Sequence, residues 1–408
     1  MKLLVLNSGS SSVKYKLFEM NRGEVQAAGK LDRIGEPLSR LTHRSRLDEH
    51  AEAELITEQP IAEHHQALQL IVEMLRETRI LSDPDSLDGI GHRVVHGGEC
   101  FHEPVIITDN VITAISKTIP LATLHNPANL AGIRVALDFA PLVPQVAVFD
   151  TAFHQSIPAH AYHYAIPYAL YEKLQVRRYG FHGISHQYVT REAARLLQLE
   201  ENYINLVSIH LGNGASVTAV LRGRSVDTSM GMTPLEGLMM GTRCGDLDPS
   251  IPFYLEKWTD EDSEQVEALL NQDSGLKGVC GASDMREVER LAGEGNERAR
   301  LAIDMYCYRI RKYIGSYLAV LDKLDALVFT GGIGENSPNI RARCCRGLEH
   351  LGIVLDEDAN RTLADHNREV QGATSGCKIL VIRSDEELEI ARQSRRLIAR
   401  IDRKPGLA

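Results

Sequence analysis

No stretch of the 408 residues approaches the roughly 18 consecutive apolar residues that a membrane-crossing helix needs. The opening run Met1–Leu6 carries one lysine and is too short for the apolar core of a secretion signal, so it reads as a first strand. Positive charge is in deficit: 45 Lys and Arg stand against 55 Asp and Glu, a net charge of −10. That balance argues against nucleic acid or an acidic membrane as partner, and any anionic ligand must be met by a few placed cations. The seven cysteines are odd in number and contain no CxxC pair. Neither a disulfide framework nor a zinc cage is expected, and a reducing cytoplasm is. Several catalytic signatures are missing as well. The segment Gly23 to Gly29-Lys30 has one residue too many for a Walker loop and puts Leu31 where Ser or Thr belongs. No GxGxxG, GxSxG or HExxH pattern occurs, which counts against hydride transfer, a serine hydrolase and a zinc peptidase.

What is present is a long chain of ordinary composition, 43% hydrophobic and 25% charged, whose length predicts two cores rather than one. Strand-like runs at residues 2–6, 13–18 and 24–30, with another at 38–47, open the chain. Residues 65–76 have helical spacing, with Leu68, Ile71, Val72 and Leu75 on one face. Strands at 88–95 and 146–149 alternate with helical segments at 111–118 and 127–139. The second half repeats the plan: strands at 203–209 and 215–221 and a third run ending near Val226, a long helix at 296–321, strands at 326–329 and 378–382, and a last helix at 385–400. Alternating strands and helices predict an α/β fold with a largely parallel sheet. The hairpins LLVLNSGSSSVKYKLF and LVSIHLGNGASVTAVL share one layout about 200 residues apart, which predicts an internal duplication.

The stretch Asn205–Ser250 organises the reading. Its hairpin tip Gly212-Asn213-Gly214 is expected to use the positive φ that Gly and Asn accept, presenting backbone N–H groups to a phosphate. Residues 227–249 follow no helical or strand period and hold four Met, four Gly and Arg243, so they read as a shaped functional loop. Asn7, four serines and Lys14 on the first hairpin combine an amide oxygen, hydroxyls and a cation, the set that nucleotide chemistry needs; a plain polar turn is the alternative. Arg93 lies in an apolar strand run, so its guanidinium must meet an acid or line a cleft. Asp150 ends a buried strand and either faces a site or caps the next turn. His182 and His186 are four apart, and Ser185 reads as an N-cap. One of Glu386 and Glu387 is a candidate ligand for Mg²⁺.

These motifs together resemble the acetokinase family of the sugar-kinase and actin-like ATPase superfamily. The likeness runs almost end to end, through NSGSSSVKY, HRVVHGGE, LHNP, FDTAFHQSIP, RRYGFHGISH, HLGNGASV, DTSMGMTPLEGLMMGTRCGDLDPS, VFTGGIGENS and SDEELEIA. It implies two duplicated actin-like (ribonuclease H-like) domains with a cleft between them: residues 1–150, joined by the final helix at about 386–408, and a nucleotide-binding domain at 151–385. It implies ATP- and Mg²⁺-dependent reversible phosphorylation of acetate by a cytoplasmic homodimer, with Mn²⁺ as a possible substitute metal. Carried over by position, Asp150, His182 and Arg243 are catalytic. Arg93 binds the substrate carboxylate, and Val95, Leu124, Phe181 and Pro234 form a methyl pocket. Asn7 and Glu386 hold the metal. ATP is contacted by Lys14, by His210, Leu211, Gly212, Asn213 and Gly214, by Asp284, Met285 and Arg286, and by Gly332, Ile333, Gly334, Glu335 and Asn336. A propionate or butyrate kinase on the same scaffold is the alternative within this class. An actin-like ATPase without an acid substrate is the alternative outside it.

Overall fold

The computed structural model describes residues 1–9, 11–48, 51–81, 83–123, 125–362 and 364–402. Leu124 and the end of the expected final helix at 403–408 lie outside the described residues. The chain divides into two compact units, one formed by Met1–Phe153 and the segment from Asp385 onward, the other by His154–Ser384.

Unit 1 is built on strands β1 (Lys2–Ser8), β2 (Ser12–Glu19), β3 (Glu24–Asp32), β4 (Ser39–Asp48), β5 (Ala51–Gln59), β6 (Gly89–Val94), β7 (Val105–Ile106) and β8 (Gln145–Phe149). They form one sheet in the order β5-β4-β3-β2-β1-β6-β8-β7. β1 to β5 run as an antiparallel meander, whereas β1, β6 and β8 are parallel neighbours. Every residue of β8 is buried, as expected for a parallel strand covered on both faces. The helix Asn126–Phe139 supplies part of that cover through Leu130 and Ile133, which cluster with Ala147 and Phe149, while Leu68, Ile71 and Leu75 of the helix His64–Glu77 pack with residues of β1, β2 and β6. β5 escaped the sequence reading because its residues 53–59 lie largely exposed at a sheet edge and carry Glu54 and Glu58, so no apolar alternation marks them. The C-terminal helix Glu386–Asp402 lies close against β6: a Cβ on Gly91 would sit 2.7 Å from Ser394 Oγ and 2.8 Å from Ile390 Cγ2. That approach holds the helix's first residue, Glu386, within the same unit as Arg93.

Unit 2 contains β9 (Leu206–Leu211), β10 (Ala215–Leu221), β11 (Arg224–Thr228), β12 (Ala326–Thr330), β13 (Arg368–Glu369) and β14 (Lys378–Val381), in the order β11-β10-β9-β12-β14-β13. β9, β12 and β14 are parallel, and β9 to β11 form an antiparallel meander. The order β3-β2-β1-β6-β8 of unit 1 therefore recurs as β11-β10-β9-β12-β14, so the duplication suggested by the two hairpins extends through five strands. The long helix Glu297–Val320 buries Ala302, Ile303, Tyr306, Ile310 and Ile314. Residues 229–249 form no helix or strand, yet Met230, Leu238, Met239 and Met240 are buried pegs that hold this loop down.

Candidate active site

In unit 1 the strand ends bring four of the expected residues together. Arg93 on β6 is half-buried and pairs with Asp150, the buried residue that follows β8. Its Nη1 donates to Asn7 Oδ1 on β1 (3.3 Å), and its Nε lies 3.8 Å from Glu386 Oε2. Burial alone would lower the guanidinium pKa, but the charges of Asp150 and Glu386 outweigh it and raise the value. Glu387 turns elsewhere, to Lys16 (3.2 Å), which also donates to Asp385 (2.8 Å). Of the two adjacent glutamates, Glu386 is thus the one that shares an environment with Asn7. Asn7 and Glu386 offer hard oxygen donors on either side of one cation, a donor set that suits Mg²⁺, which takes few protein ligands and completes its shell with water and phosphate. Among the described residues no three His, Cys, Asp or Glu side chains converge as a metal cage.

Two buried amides that the sequence reading did not single out fix the chain after β6. Asn129 Oδ1 accepts from Val95 N (3.0 Å) while its Nδ2 donates to Ser8 O (2.6 Å). Asn126 accepts from His96 N (3.1 Å) and donates to His96 O (3.0 Å). Both sit early in the helix Asn126–Phe139, whose start is the LHNP motif, so the signal was present but its role depends on contacts remote in sequence. Lys14, expected at the nucleotide, lines a shallow groove of unit 1 with Lys16, Lys30, Arg44 and Glu387.

Unit 2 assembles a different constellation around the β9–β10 tip. None of Gly212, Asn213 and Gly214 has positive φ, contrary to the expectation from the sequence. The tip instead lies alongside two of the expected catalytic side chains. A Cβ on Gly214 would sit 3.4 Å from His182 Cε1 and Nε2 and 3.6 Å from Arg243 Nη1. The loop that carries Arg243 is tied to this tip by Gly241 N, which donates to Asn213 O (3.0 Å). Arg309 donates to the carbonyls of Gly237 (3.3 Å) and Cys244 (3.2 Å) in the same loop. The half-buried Arg243 donates to Pro234 O (3.3 Å) and has no ion pair among the described residues; burial lowers its pKa. A desolvated guanidinium without a carboxylate, next to an imidazole, is a ready site for an anion. Burial also raises the pKa of neighbouring Cys244, keeping it a thiol.

His182, not Ser185, is the N-cap of the helix Gly183–Leu196, and it adopts a left-handed conformation (φ 58°). The correction has a simple cause: Ser185 lies inside the helix, where its Oγ is 2.8 Å from His210 Nδ1 rather than bonded to a helix-terminal N–H. His182 stacks on His210 with ring centroids 4.5 Å apart.

Eight of the residues expected at the nucleotide, Gly212, Asn213, Asp284, Met285, Arg286, Gly332, Ile333 and Asn336, line one groove of about 710 Å³. Ser283, Glu289 and Ser337 complete it; each lies next to or within one turn of an expected residue. Leu211 and Gly334 are buried beneath, and His210 is engaged by Ser185. Glu335 accepts from Gly331 N (3.0 Å) and Ser384 N (2.9 Å), so its carboxylate braces the loop after β14. Of the expected methyl pocket, Val95 is a buried residue of unit 1, while Phe181 and Pro234 belong to unit 2.

Three further histidines, His92, His154 and His186, are fully buried; burial lowers the first two to about 4 and the third well below its ordinary value. The unfolded chain binds these protons near pH 6.5, so the unfolded state holds more protons between about 6.5 and 4. Stability present above that window is therefore lost as the pH falls through it, by about 1.4 kcal/mol per group for each pH unit. Thermal melts at pH 7.5, 6 and 5 should show a progressive fall in Tm; a flat profile would contradict the buried neutral histidines.

The acetokinase family model matches residues 2–392. The chain is 54% identical over 401 residues to the acetate kinase of Syntrophobacter fumaroxidans, covering 98% of each protein. Its structure is similar to the crystal structure of Porphyromonas gingivalis acetate kinase, with a TM-score of 0.90, 43% identity and coverage of 97% of this chain and 99% of that one. A propionate kinase from Francisella tularensis is similar to the same degree, with a TM-score of 0.90 and 41% identity over 97% of this chain and 99% of that one.

Proposed function

This chain belongs to the acetokinase family, and from that premise we propose that it catalyses reversible, Mg²⁺-dependent phosphoryl transfer between ATP and acetate. The observation that carries the reading is Arg243, a half-buried guanidinium without an ion pair among the described residues, set against His182 at the hairpin tip. A carboxylate is ionised at neutral pH, so its oxygen attacks phosphorus without a general base. The transition state needs alignment and neutral surroundings for the charge on the transferring group. His182 and Arg243 supply donors to that group, and the groove beside them holds the nucleotide. Arg93 receives the acid, with its fork oriented by Asp150 and Asn7. Asn7 and Glu386 hold Mg²⁺, which when bound draws charge from the phosphate oxygens. Mn²⁺, with the same preference for oxygen ligands, is expected to restore turnover to a chelated sample.

The likeness to a propionate kinase supports a second reading, in which a longer acid is preferred. One methylene in an apolar pocket separates substrates by only about 1–3 kcal/mol, so the two activities are close neighbours. Acyl phosphate formed from ATP, Mg²⁺ and acetate, propionate or butyrate, trapped as the hydroxamate, decides between them. A higher kcat/KM for acetate supports the first reading, and a higher value for propionate or butyrate the second. ATP hydrolysis without acyl phosphate would overturn both in favour of an acid-independent ATPase.

The helix Ser250–Trp258 exposes Ile251, Phe253, Tyr254 and Trp258, each at least 40% accessible. Such an apolar face is covered best by a second copy of the chain. Sedimentation is expected to give a dimer that Phe253→Asp with Trp258→Asp dissociates; a wild-type monomer would refute it. All seven cysteines are free, which fits a cytoplasmic setting.

A further inference from the structure

The face of β9 and β10 that the helix Gly183–Leu196 meets is polar. Ser208 and His210 on β9 stand in register with Thr218 and Ser216 on β10. His186, fully buried, reaches into this face: its Nδ1 lies 2.8 Å from Ser208 Oγ and its Nε2 2.8 Å from Ser216 Oγ. Ser216 Oγ is in turn 2.9 Å from His182 Nδ1. The result is a continuous chain, Ser208–His186–Ser216–His182, three of whose members are fully buried.

A neutral imidazole has one donor nitrogen and one acceptor, and a hydroxyl has one proton to donate. Burial keeps His186 neutral, so with neutral His182 the chain has two hydrogen orders in which Ser216 donates to one imidazole and accepts from the other. In the first, Ser208 donates to His186 Nδ1, His186 Nε2–H donates to Ser216, and Ser216 donates to His182 Nδ1. His182 then carries its proton on Nε2. In the second every hydrogen is reversed, and the His182 proton sits on Nδ1, committed to Ser216. Nε2 is the nitrogen that faces Gly214, on the side where Arg243 Nη1 also approaches. An anion held there selects the first order, because only that order offers it an imidazole N–H. The His210 ring, stacked at 4.5 Å and fixed by Ser185, limits the tilt of His182.

We propose that His186, acting through Ser216, is a positioning residue that holds His182 as the Nε2–H tautomer, aimed at the anion position beside Arg243. The proposal rests on the reading of His182 as a donor to the transferring phosphoryl group. A buried polar chain of this kind is also what distinguishes a set of oriented donors from a loose ring, since every member is satisfied in only one direction at a time.

The test uses full-length protein with ¹⁵N-labelled histidine, saturated with Mg²⁺ and ATP in the absence of acid. Ring nitrogen shifts should report Nε2–H for both His182 and His186 in the wild type. In Ser216→Ala the His182 ring should become a mixture of tautomers, with kcat lowered about 10- to 100-fold and KM for acetate and ATP changed less than about threefold. Ser216→Thr, which keeps the hydroxyl, should restore the single tautomer. A wild-type His182 protonated on Nδ1 overturns the proposal, and so does an unchanged His182 tautomer in Ser216→Ala. The wild-type spectrum decides even if Ser216→Ala does not fold. Normal turnover in His182→Asn would instead sink the role given to His182 in phosphoryl transfer, and the ring shifts would still judge the chain on its own.

Discussion

Replacing Arg243 with alanine is expected to lower kcat by about 10³- to 10⁵-fold, the range associated with an arginine that neutralises a transferring phosphoryl group. The fold should survive. Arg243 has no ion pair among the described residues, and its hydrogen bond to Pro234 O is a long one of 3.3 Å. Burial already disfavours its charge, so removing it relieves a desolvated cation, and Tm should be unchanged or raised. Arg243→Lys should recover little, because an ammonium lacks the planar fork that spans two oxygens. The measurement is steady-state turnover with thermal melting on the same samples. A kcat within about threefold of wild type would remove Arg243 from the charge-neutralising role, whose loss is put at orders of magnitude.

Arg93→Ala should fail differently, losing activity and stability together. It removes the guanidinium that pairs with Asp150, 1% exposed, and that lies 3.8 Å from Glu386. Breaking a buried pair from one side costs about 3–5 kcal/mol, because the remaining carboxylate stays desolvated. Arg93→Lys should return part of that stability through its charge, yet not the activity, since the fork that meets Asn7 and Asp150 is gone. Urea unfolding followed by circular dichroism, together with acyl phosphate formation, separates the two losses. An alanine variant as stable as wild type would mean that the Arg93–Asp150 contact contributes little to unit 1. The contrast with Arg243 is the informative part: one arginine is held by acids, the other by none among the described residues.

Much of this was legible in the sequence, for reasons that are local. A strand or helix writes its period into consecutive residues, so Lys2–Ser8, Asn126–Phe139 and Glu297–Val320 were found within a few residues of their ends. β5 was not, because an exposed edge strand has no buried face to mark. The groove proposed for the nucleotide was foreshadowed by three separated motifs that all follow or precede short turns. Its completion by Glu289 was not, since that residue reaches the groove from one helical turn beyond Asp284–Arg286.

The sequence by itself determined the kinds of chemistry available. It supplied two arginines in apolar or irregular settings, a histidine after Phe181, paired glutamates after the last strand, and a duplicated Gly-rich hairpin. The tertiary structure alone decided what each of them touches. Glu386 and Glu387 are indistinguishable as letters, but the start of the C-terminal helix turns one toward Arg93 and the other toward Lys16. Gly214 reads as a residue chosen for positive φ, whereas the fold gives it none and sets it beside His182 and Arg243. His186 and Ser216 lie 30 residues apart and acquire meaning only when a helix is laid across a strand. Periodicity follows from backbone geometry shared by neighbours. Partners are fixed by strand register and helix packing, which join residues distant along the chain.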